Sequence, residues 1–250
     1  MNQDLFKYIL RWADNSLIHG QRLAQWCGHG PVLEEDIALT NTALDYIGQA
    51  TNLYKYAAQI EGAGRDEDQI AFLRDEWEYY NLILLEQPNG DYAYTIARQF
   101  LFSTWYYLVL VEMAESKDEF FSGFATKSAK ELKYHVVHSR DWVLRMGDGT
   151  EESNQRIQTA IDAVWAYLPE MFEMDALDNR MVEHGIGVDF KKIQPLWRTQ
   201  VEAVLGEATL RTPADGWGHS GGKNGKHSEH LGYILAEMQF LQRAYPGAKW

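Results

Sequence analysis

Cysteine is nearly absent from this chain, because its 250 residues include only Cys27. A single cysteine excludes a disulfide within the chain, which suits a reducing compartment. Basic residues are also scarce, with 23 Lys and Arg against 36 Asp and Glu, so the net charge is −13. Phosphate backbones and anionic membrane surfaces repel such a chain, so we expect neither a nucleic-acid nor a membrane partner.

Long apolar runs are missing as well. The longest uncharged stretch of helical character, 99–111, is shorter than the roughly 20 residues that a membrane-spanning helix needs. The N-terminus carries Asp4 and Lys7 and has no apolar run of signal-peptide length. We therefore expect a cytoplasmic protein. Cys27 closes the apolar pattern of the first helix, and we expect it to be a buried core residue.

Aromatic residues, in contrast, are plentiful, with 9 Trp, 14 Tyr and 10 Phe. Apolar residues recur mainly at helical spacing, and no strand hairpin or phosphate-binding loop is recognisable. The pattern predicts an all-α chain with helices at about 5–28, 34–62, 66–86, 92–115, 122–146, 151–172, 190–210 and 227–244. The glycine-rich segment 212–226 is the one long irregular stretch, which is typical of a functional or mobile loop.

One helix stands out by its composition. Residues 100–111 are apolar on nearly all faces, which predicts a central helix that is buried on all sides. No shift in composition marks a linker, so we predict one domain over 1–250. Its core helices are expected at about 5–28, 34–62, 92–115 and 122–146.

Long helices with inward polar residues suggest one chemistry first, a carboxylate-bridged di-metal site in a helical bundle. Such a site takes a Glu from each of two helices and a Glu-x-x-His from each of two others, since this spacing puts both side chains on one helix face. The second helix offers Asp45, but Gly48 stands at the histidine position. The fifth offers Glu131, with Tyr134 at that position. We therefore predict that this chain holds no metal, and so no di-iron cofactor.

A few acids and imidazoles remain as candidates for a vestigial site. They are Asp45, Glu131 and His135, with Asp14 of the first helix as a further remnant. Glu131 and His135 are four residues apart, and we favour a hydrogen-bonded structural pair at the edge of the core. His227 and His230 form a second histidine pair near the start of the last helix, for which a structural role is also favoured.

Two other functions stay open at this point. The first is an active di-iron oxygenase with an atypical site, built from Asp45, Glu131, His135 and His138. The second is a module that binds a CoA thioester through a local basic cluster, Lys191-Lys192 or Lys223 with Lys226. The net charge of −13 argues against the second, because CoA is an anion.

Several stretches carry a resemblance to a known family. They are residues 31–38, the Gly-Gln pair at 48–49, and residues 65–68, 86–91 and 130–135; the most specific is His-Leu-Gly-Tyr-Ile-Leu-Ala-Glu-Met-Gln at 230–239, followed by 241–243 and 246–247. These stretches resemble the phenylacetic-acid-degradation family, and the resemblance extends over nearly the whole chain. The likeness is strongest to the family's structural, non-catalytic subunits.

The resemblance implies a ferritin-like fold and a place in a multicomponent oxygenase. In that complex the di-iron site belongs to a separate catalytic subunit, which epoxidises the aromatic ring of phenylacetyl-CoA using O₂ and electrons from an NADPH-dependent reductase subunit. The expected partners of this chain are therefore the catalytic subunit and the other small and reductase subunits, with a possible homodimer when the chain is alone. No catalytic residue carries over to this sequence.

Overall fold

The computed structural model describes residues 2–248, and every regular element within them is helical. The α-helices are α1 Asn2–Ala24, α2 Leu33–Glu61, α3 Glu67–Phe72, α4 Ile83–Glu86, α5 Tyr92–Met113, α6 Glu119–Gly147, α7 Glu151–Trp165, α8 Ala176–Glu183, α9 Phe190–Glu207, α10 Glu229–Met238 and α11 Phe240–Ala244. Short 3₁₀ turns occupy Glu76–Glu78, Pro169–Phe172 and Gly222–Asn224. The predicted fold class is confirmed: the chain is an all-α, ferritin-like bundle with additional helices.

The described residues divide into two compact units, residues 2–88 with 220–248 and residues 89–219. The sequence predicts a single domain over 1–250, and this stays a prediction. Positions 1, 249 and 250 lie outside the described residues. No helix within 2–248 is long and apolar enough to cross a membrane.

The first unit is built on the pair α1 and α2. The His19 ring of α1 packs edge-on against Tyr46 of α2, with 4.8 Å between the ring centroids. Nearer the start of α1, Asp14 accepts a hydrogen bond from Tyr54, which lies further along α2. The two contacts run in opposite senses along the two helices, so the pair is antiparallel. Nearly all of α1 beyond its first turn is buried.

The second unit is built on the pair α5 and α6, flanked by α7 and α9. Residues 100–110 of α5 are buried except Tyr107, which confirms the prediction of a helix buried on nearly all faces. Trp197 of α9 donates a hydrogen bond from Nε1 to the carbonyl of Leu101, 3.0 Å away. Asp91 caps the helix by accepting a hydrogen bond from the backbone N–H of Tyr94.

The helix predicted over 66–86 is wrong as a continuous element, since α3 ends at Phe72 and α4 begins at Ile83. The physical reason is competition for backbone donors. Asp14 accepts from the N–H of Tyr80 and Asn15 accepts from the N–H of Leu82, both at 2.8 Å. Backbone groups held by these side chains are unable to form helical hydrogen bonds.

Smaller corrections follow at other helix ends. The helix expected over 151–172 ends at Trp165, and Pro169 starts a 3₁₀ turn instead. α8 was not predicted, and the helix expected over 227–244 is divided at Gln239 into α10 and α11. Cys27 is exposed rather than buried, because α1 ends at Ala24 and leaves the thiol in the following turn.

Gly147, at the end of α6, predicts a measurable packing constraint. A Cβ there would come within 2.2 Å of the carbonyl oxygen of Ala208, just after α9. Gly147→Ala should therefore lower the free energy of unfolding by about 1–3 kcal/mol, as overpacking usually does. The matched control is Gly123→Ala in the same helix, where a Cβ would meet nothing within 4 Å. That change should raise stability by about 0.5–1 kcal/mol. Equal urea midpoints for the two variants would contradict the expectation.

Candidate functional site

The residues predicted for a vestigial metal site do not share an inward face. On α2, Asp45 is half-buried and Gly48 is exposed. On α6, Glu131 is half-buried and Tyr134 is 58% exposed. Among Asp45, Glu131 and His135, His135 alone is fully buried, and the further candidate Asp14 on α1 is also fully buried but is engaged by other partners. The two positions at which a bundle metal site would have its spaced histidines therefore lie on outward surfaces of their helices.

The buried pairs with the same spacing lie one residue further along. They are Tyr46 and Gln49 on α2, and Leu132 and His135 on α6, each at most 2% exposed. The apolar stripe through Leu39, Tyr46 and Leu53 contained the signal for this register, because it places position 49 on the buried face and position 48 off it. Sequence reasoning followed the acid at position 45 instead.

These donor sets do not fit a di-iron centre. Of the four positions in the two buried pairs, His135 is the single imidazole and none is a carboxylate. Within 2–248, no three His, Cys, Asp or Glu side chains lie close enough together to hold a metal ion. The statement that this chain carries no cofactor stays a prediction, as do the pairing of Glu131 with His135 and the vestigial character of Asp45.

The first unit instead contains a buried charge cluster centred on Asp14, whose side chain is fully buried. Arg74 makes a bidentate contact with its carboxylate, with Nη2–Oδ1 at 2.5 Å and Nη1–Oδ2 at 3.1 Å. The Tyr54 hydroxyl donates to Oδ1 and the backbone N–H of Tyr80 donates to Oδ2. Both carboxylate oxygens accept hydrogen bonds from donors of this chain, and the charge of Asp14 is neutralised by Arg74.

Aromatic rings surround the guanidinium of this cluster. Arg74 lies 4.2 Å from the ring centroid of Tyr79 and 5.5 Å from that of Tyr54, which adds cation–π attraction. Burial alone would lower the pKa of Arg74, but the Asp14 carboxylate outweighs it, so the pKa lies above its ordinary value. Burial raises the pKa of Tyr79 to about 12, and burial followed by the Asp14 charge raises that of Tyr54. Both phenols therefore stay protonated at neutral pH.

A second buried pair in the same unit joins Glu86 of α4 to His227, just before α10. His227 Nδ1 lies 3.3 Å from Glu86 Oε1, and its Nε2 lies 2.9 Å from the carbonyl oxygen of Tyr79. The side chain of Glu86 is 0% exposed and that of His227 is 1% exposed. Since both ring nitrogens face acceptors, both contacts are hydrogen bonds only when the pair holds one proton more than a neutral imidazole beside a carboxylate. The Arg22 guanidinium also lies beside this pair and donates hydrogen bonds to the backbone oxygen of Glu86.

The pKa directions agree with this shared proton. Burial raises the pKa of Glu86, although its hydrogen bonds with His227 and Ser228 act in the other direction. Burial alone would lower the pKa of His227, but the Glu86 carboxylate and the Tyr79 carbonyl raise it above 6.5. His227 is thus a structural residue, as favoured from the sequence, although sequence reasoning did not find its partner Glu86.

Of the basic residues considered for CoA binding, Lys192 is paired with a carboxylate and Lys223 is buried. Lys192 Nζ lies 2.8 Å from a carboxylate oxygen of Glu112. Lys223 is buried, and its carbonyl accepts a hydrogen bond from Arg11. No described contact joins either cluster into an anion-binding cradle.

The fold and these clusters define a class, an all-α bundle whose buried charges neutralise one another within the chain. The chain matches the family model of phenylacetic acid catabolic proteins over residues 1–250. It is also 46% identical over 250 residues, the full length of both chains, to the C subunit of 1,2-phenylacetyl-CoA epoxidase from Escherichia coli strain K12. The chain belongs to the phenylacetic acid catabolic protein family, which confirms the resemblance found in the sequence.

The buried ion pair predicts a large cost for removing one partner. Asp14→Asn leaves the Arg74 guanidinium buried without its counter-charge, so the free energy of unfolding should fall by about 3–5 kcal/mol. The matched control is Glu152→Gln, which breaks an ion pair with Arg156 whose side chains are 55% and 74% exposed. The control should leave the denaturant midpoint close to that of the wild type, because an exposed ion pair contributes little to stability. Denaturant unfolding measures both, and a small effect of Asp14→Asn would show that the buried pair is dispensable.

The His227 pair predicts a pH dependence of stability. The pKa of His227 is raised in the folded state, so its contribution is complete below about pH 6.5 and is lost as pH rises through the higher folded-state value. The stability advantage of the wild type over His227→Gln should therefore shrink as the pH rises above about 6.5, as measured by urea unfolding at each pH. His230→Gln, which leaves the Glu86 contact in place, is the control. A constant difference across this range would contradict the shared proton.

Proposed function

We propose that this chain is the structural, non-catalytic subunit of a phenylacetyl-CoA epoxidase complex in phenylacetate catabolism. In this role it pairs with the catalytic subunit that holds the di-iron site and supports its helices. The observation that carries the proposal is the 46% identity to the C subunit of the Escherichia coli epoxidase over the full length of both chains.

The buried polar clusters support a role as a scaffold. Asp14 is neutralised by Arg74, and Glu86 shares a proton with His227, so these buried acids are committed to holding the fold. A metal site in a partner depends on the rigidity of the residues that support it. A chain whose helices are joined by buried ion pairs and hydrogen bonds suits such support.

The exposed surface supports a protein partner. Large apolar side chains lie uncovered on the first unit, each at least 46% exposed: Val32, Leu33, Ile37, Leu44, Leu73, Trp77, Tyr233, Phe240, Leu241 and Tyr245. Exposed apolar area of this kind is typical of interaction sites. Under the proposal part of it is covered by the catalytic subunit, the small and reductase subunits complete the complex, and a homodimer could form when the chain is alone. The proposed location is the cytoplasm, where the exposed thiol of Cys27 would stay reduced.

Co-expression with the catalytic subunit tests the proposal. We expect the two chains to co-purify, the catalytic subunit to hold the iron, and this chain alone to contain no stoichiometric iron after growth in iron-supplemented medium. We also expect phenylacetyl-CoA epoxidation to require both chains, because the catalytic site needs its support. Metal analysis and product formation by chromatography are the measurements.

Two results would count against this function. Stoichiometric iron in the isolated chain, abolished by changing Glu131 and His135, would favour the atypical di-iron oxygenase. Full activity of the catalytic subunit without this chain would remove the support role. Leu196→Ala changes an exposed side chain of the second unit. It is the control for non-specific effects that the changes at Glu131 and His135 have on folding.

A further inference from the structure

The second unit contains an aromatic cavity of about 710 Å³. Its walls include Trp165 from α7, Phe172 from the following 3₁₀ turn and Trp197 from α9. The ring centroids of Trp165 and Trp197 are 6.0 Å apart, and those of Phe172 and Trp197 are 5.2 Å apart. Trp197 is held by its hydrogen bond to the backbone of Leu101. The three rings therefore pack on one another in a fixed cluster, in which Trp165 and Trp197 are buried and Phe172 is half-buried.

Residues 213–219, which we call the strap, border this cavity and are pinned at two points. Asp215 accepts two hydrogen bonds from Nη1 of Arg198, at 2.8 and 3.1 Å. Four residues later, the His219 ring stacks on Tyr167, with the centroids 4.3 Å apart and the planes 8° from parallel. A segment that is held at both points bounds the cavity on one side.

Trp217 lies between the two pinned points and lines the cavity while 76% exposed. Its neighbour Gly218 packs so closely that a Cβ would come within 2.6 Å of Pro169, whereas a Cβ on Gly216 would meet nothing within 4 Å. The strap is thus tight after Trp217 and open before it. The large indole contacts the His219 ring edge-on, with the centroids 4.6 Å apart, and leaves most of its surface open beside the cavity.

Both guanidinium groups at the cavity are already paired with carboxylates. Arg198 is paired with Glu202 and Asp215, and Asp162 is paired with Arg211 at 2.8 Å. Three carboxylates therefore stand against two guanidinium groups. An anionic ligand would find no uncompensated positive charge, and burying an unpaired ion is costly. The remaining attraction is that of aromatic faces for another aromatic ring.

We propose that the aromatic cavity binds a small, planar aromatic compound that carries no negative charge, against Phe172 and Trp217 of its lining. The volume lies in the range of roughly 300–1,000 Å³ that is usual for small-molecule sites. The site does not depend on the proposed function, and either one stands if the other fails.

Titration of the full chain with two probes of nearly the same shape tests the charge argument. Benzamide is uncharged and benzoate is an anion at neutral pH. Ligand-observed NMR and calorimetry should show saturable binding of benzamide, with benzoate at least about tenfold weaker because its carboxylate has no free cationic partner. The absence of saturable benzamide binding, or equal affinity for benzoate, would overturn the proposal.

Two tryptophan variants test the location. Trp217→Ala should weaken benzamide binding by about three- to tenfold, the loss that one aromatic contact implies. Trp77→Ala is the matched control, since Trp77 is 70% exposed in the first unit, and it should leave the affinity unchanged. Unfolding curves check that both variants stay folded, as expected for exposed side chains. Unchanged affinity in Trp217→Ala, or an equal loss in Trp77→Ala, would place any binding elsewhere and overturn the assignment to this cavity.

Discussion

The ion pair between Asp14 and Arg74 is the interaction on which the first unit depends. A carboxylate and a guanidinium with at most 3% of their surface exposed must neutralise each other, because either alone would carry the full cost of a buried charge. The pair joins positions 60 residues apart in sequence. Its geometry also decides local structure, since the carboxylate takes the backbone donor of Tyr80 and prevents a helix from passing through that region.

The same cluster fastens the C-terminal helices. Gln239 donates to the carbonyl of Arg74 and to the hydroxyl of Tyr79, and Arg243 donates to the same carbonyl. Beside it, the Glu86–His227 pair holds the start of α10. Two buried electrostatic contacts thus connect α1, the segment after α3 and the terminal helices. The helical propensity of residues 229–244 could not provide this connection, because α10 and α11 are too short to be stable on their own.

Periodicity in the sequence was sufficient for the long helices and insufficient for what joins them. The apolar residues of α5 predicted its burial, and the glycines after α2 predicted its end, because both depend on local chemistry. The break between α3 and α4 could not be predicted, since it depends on Asp14, a residue in another helix. The prediction of which residues of α2 face the core was wrong by one position for a related reason. An acid at 45 suggested a ligand pair with 48, whereas burial, which a tertiary contact decides, selects 46 and 49.

The buried polar residues explain how a bundle of this kind can be stable when its acids are committed to internal contacts. A di-metal site holds several carboxylates together because the metal ions neutralise them, and removing the metal from such a set leaves repelling charges in a low dielectric. Here Asp14 faces an arginine and Glu86 faces a histidine, so each of these two acids has its counter-charge or proton from the chain itself. Such a pair does not require a metal ion for its charge balance. Under the proposed function this property suits a supporting subunit, because the shape of such a subunit must persist whether or not its catalytic partner is loaded with iron.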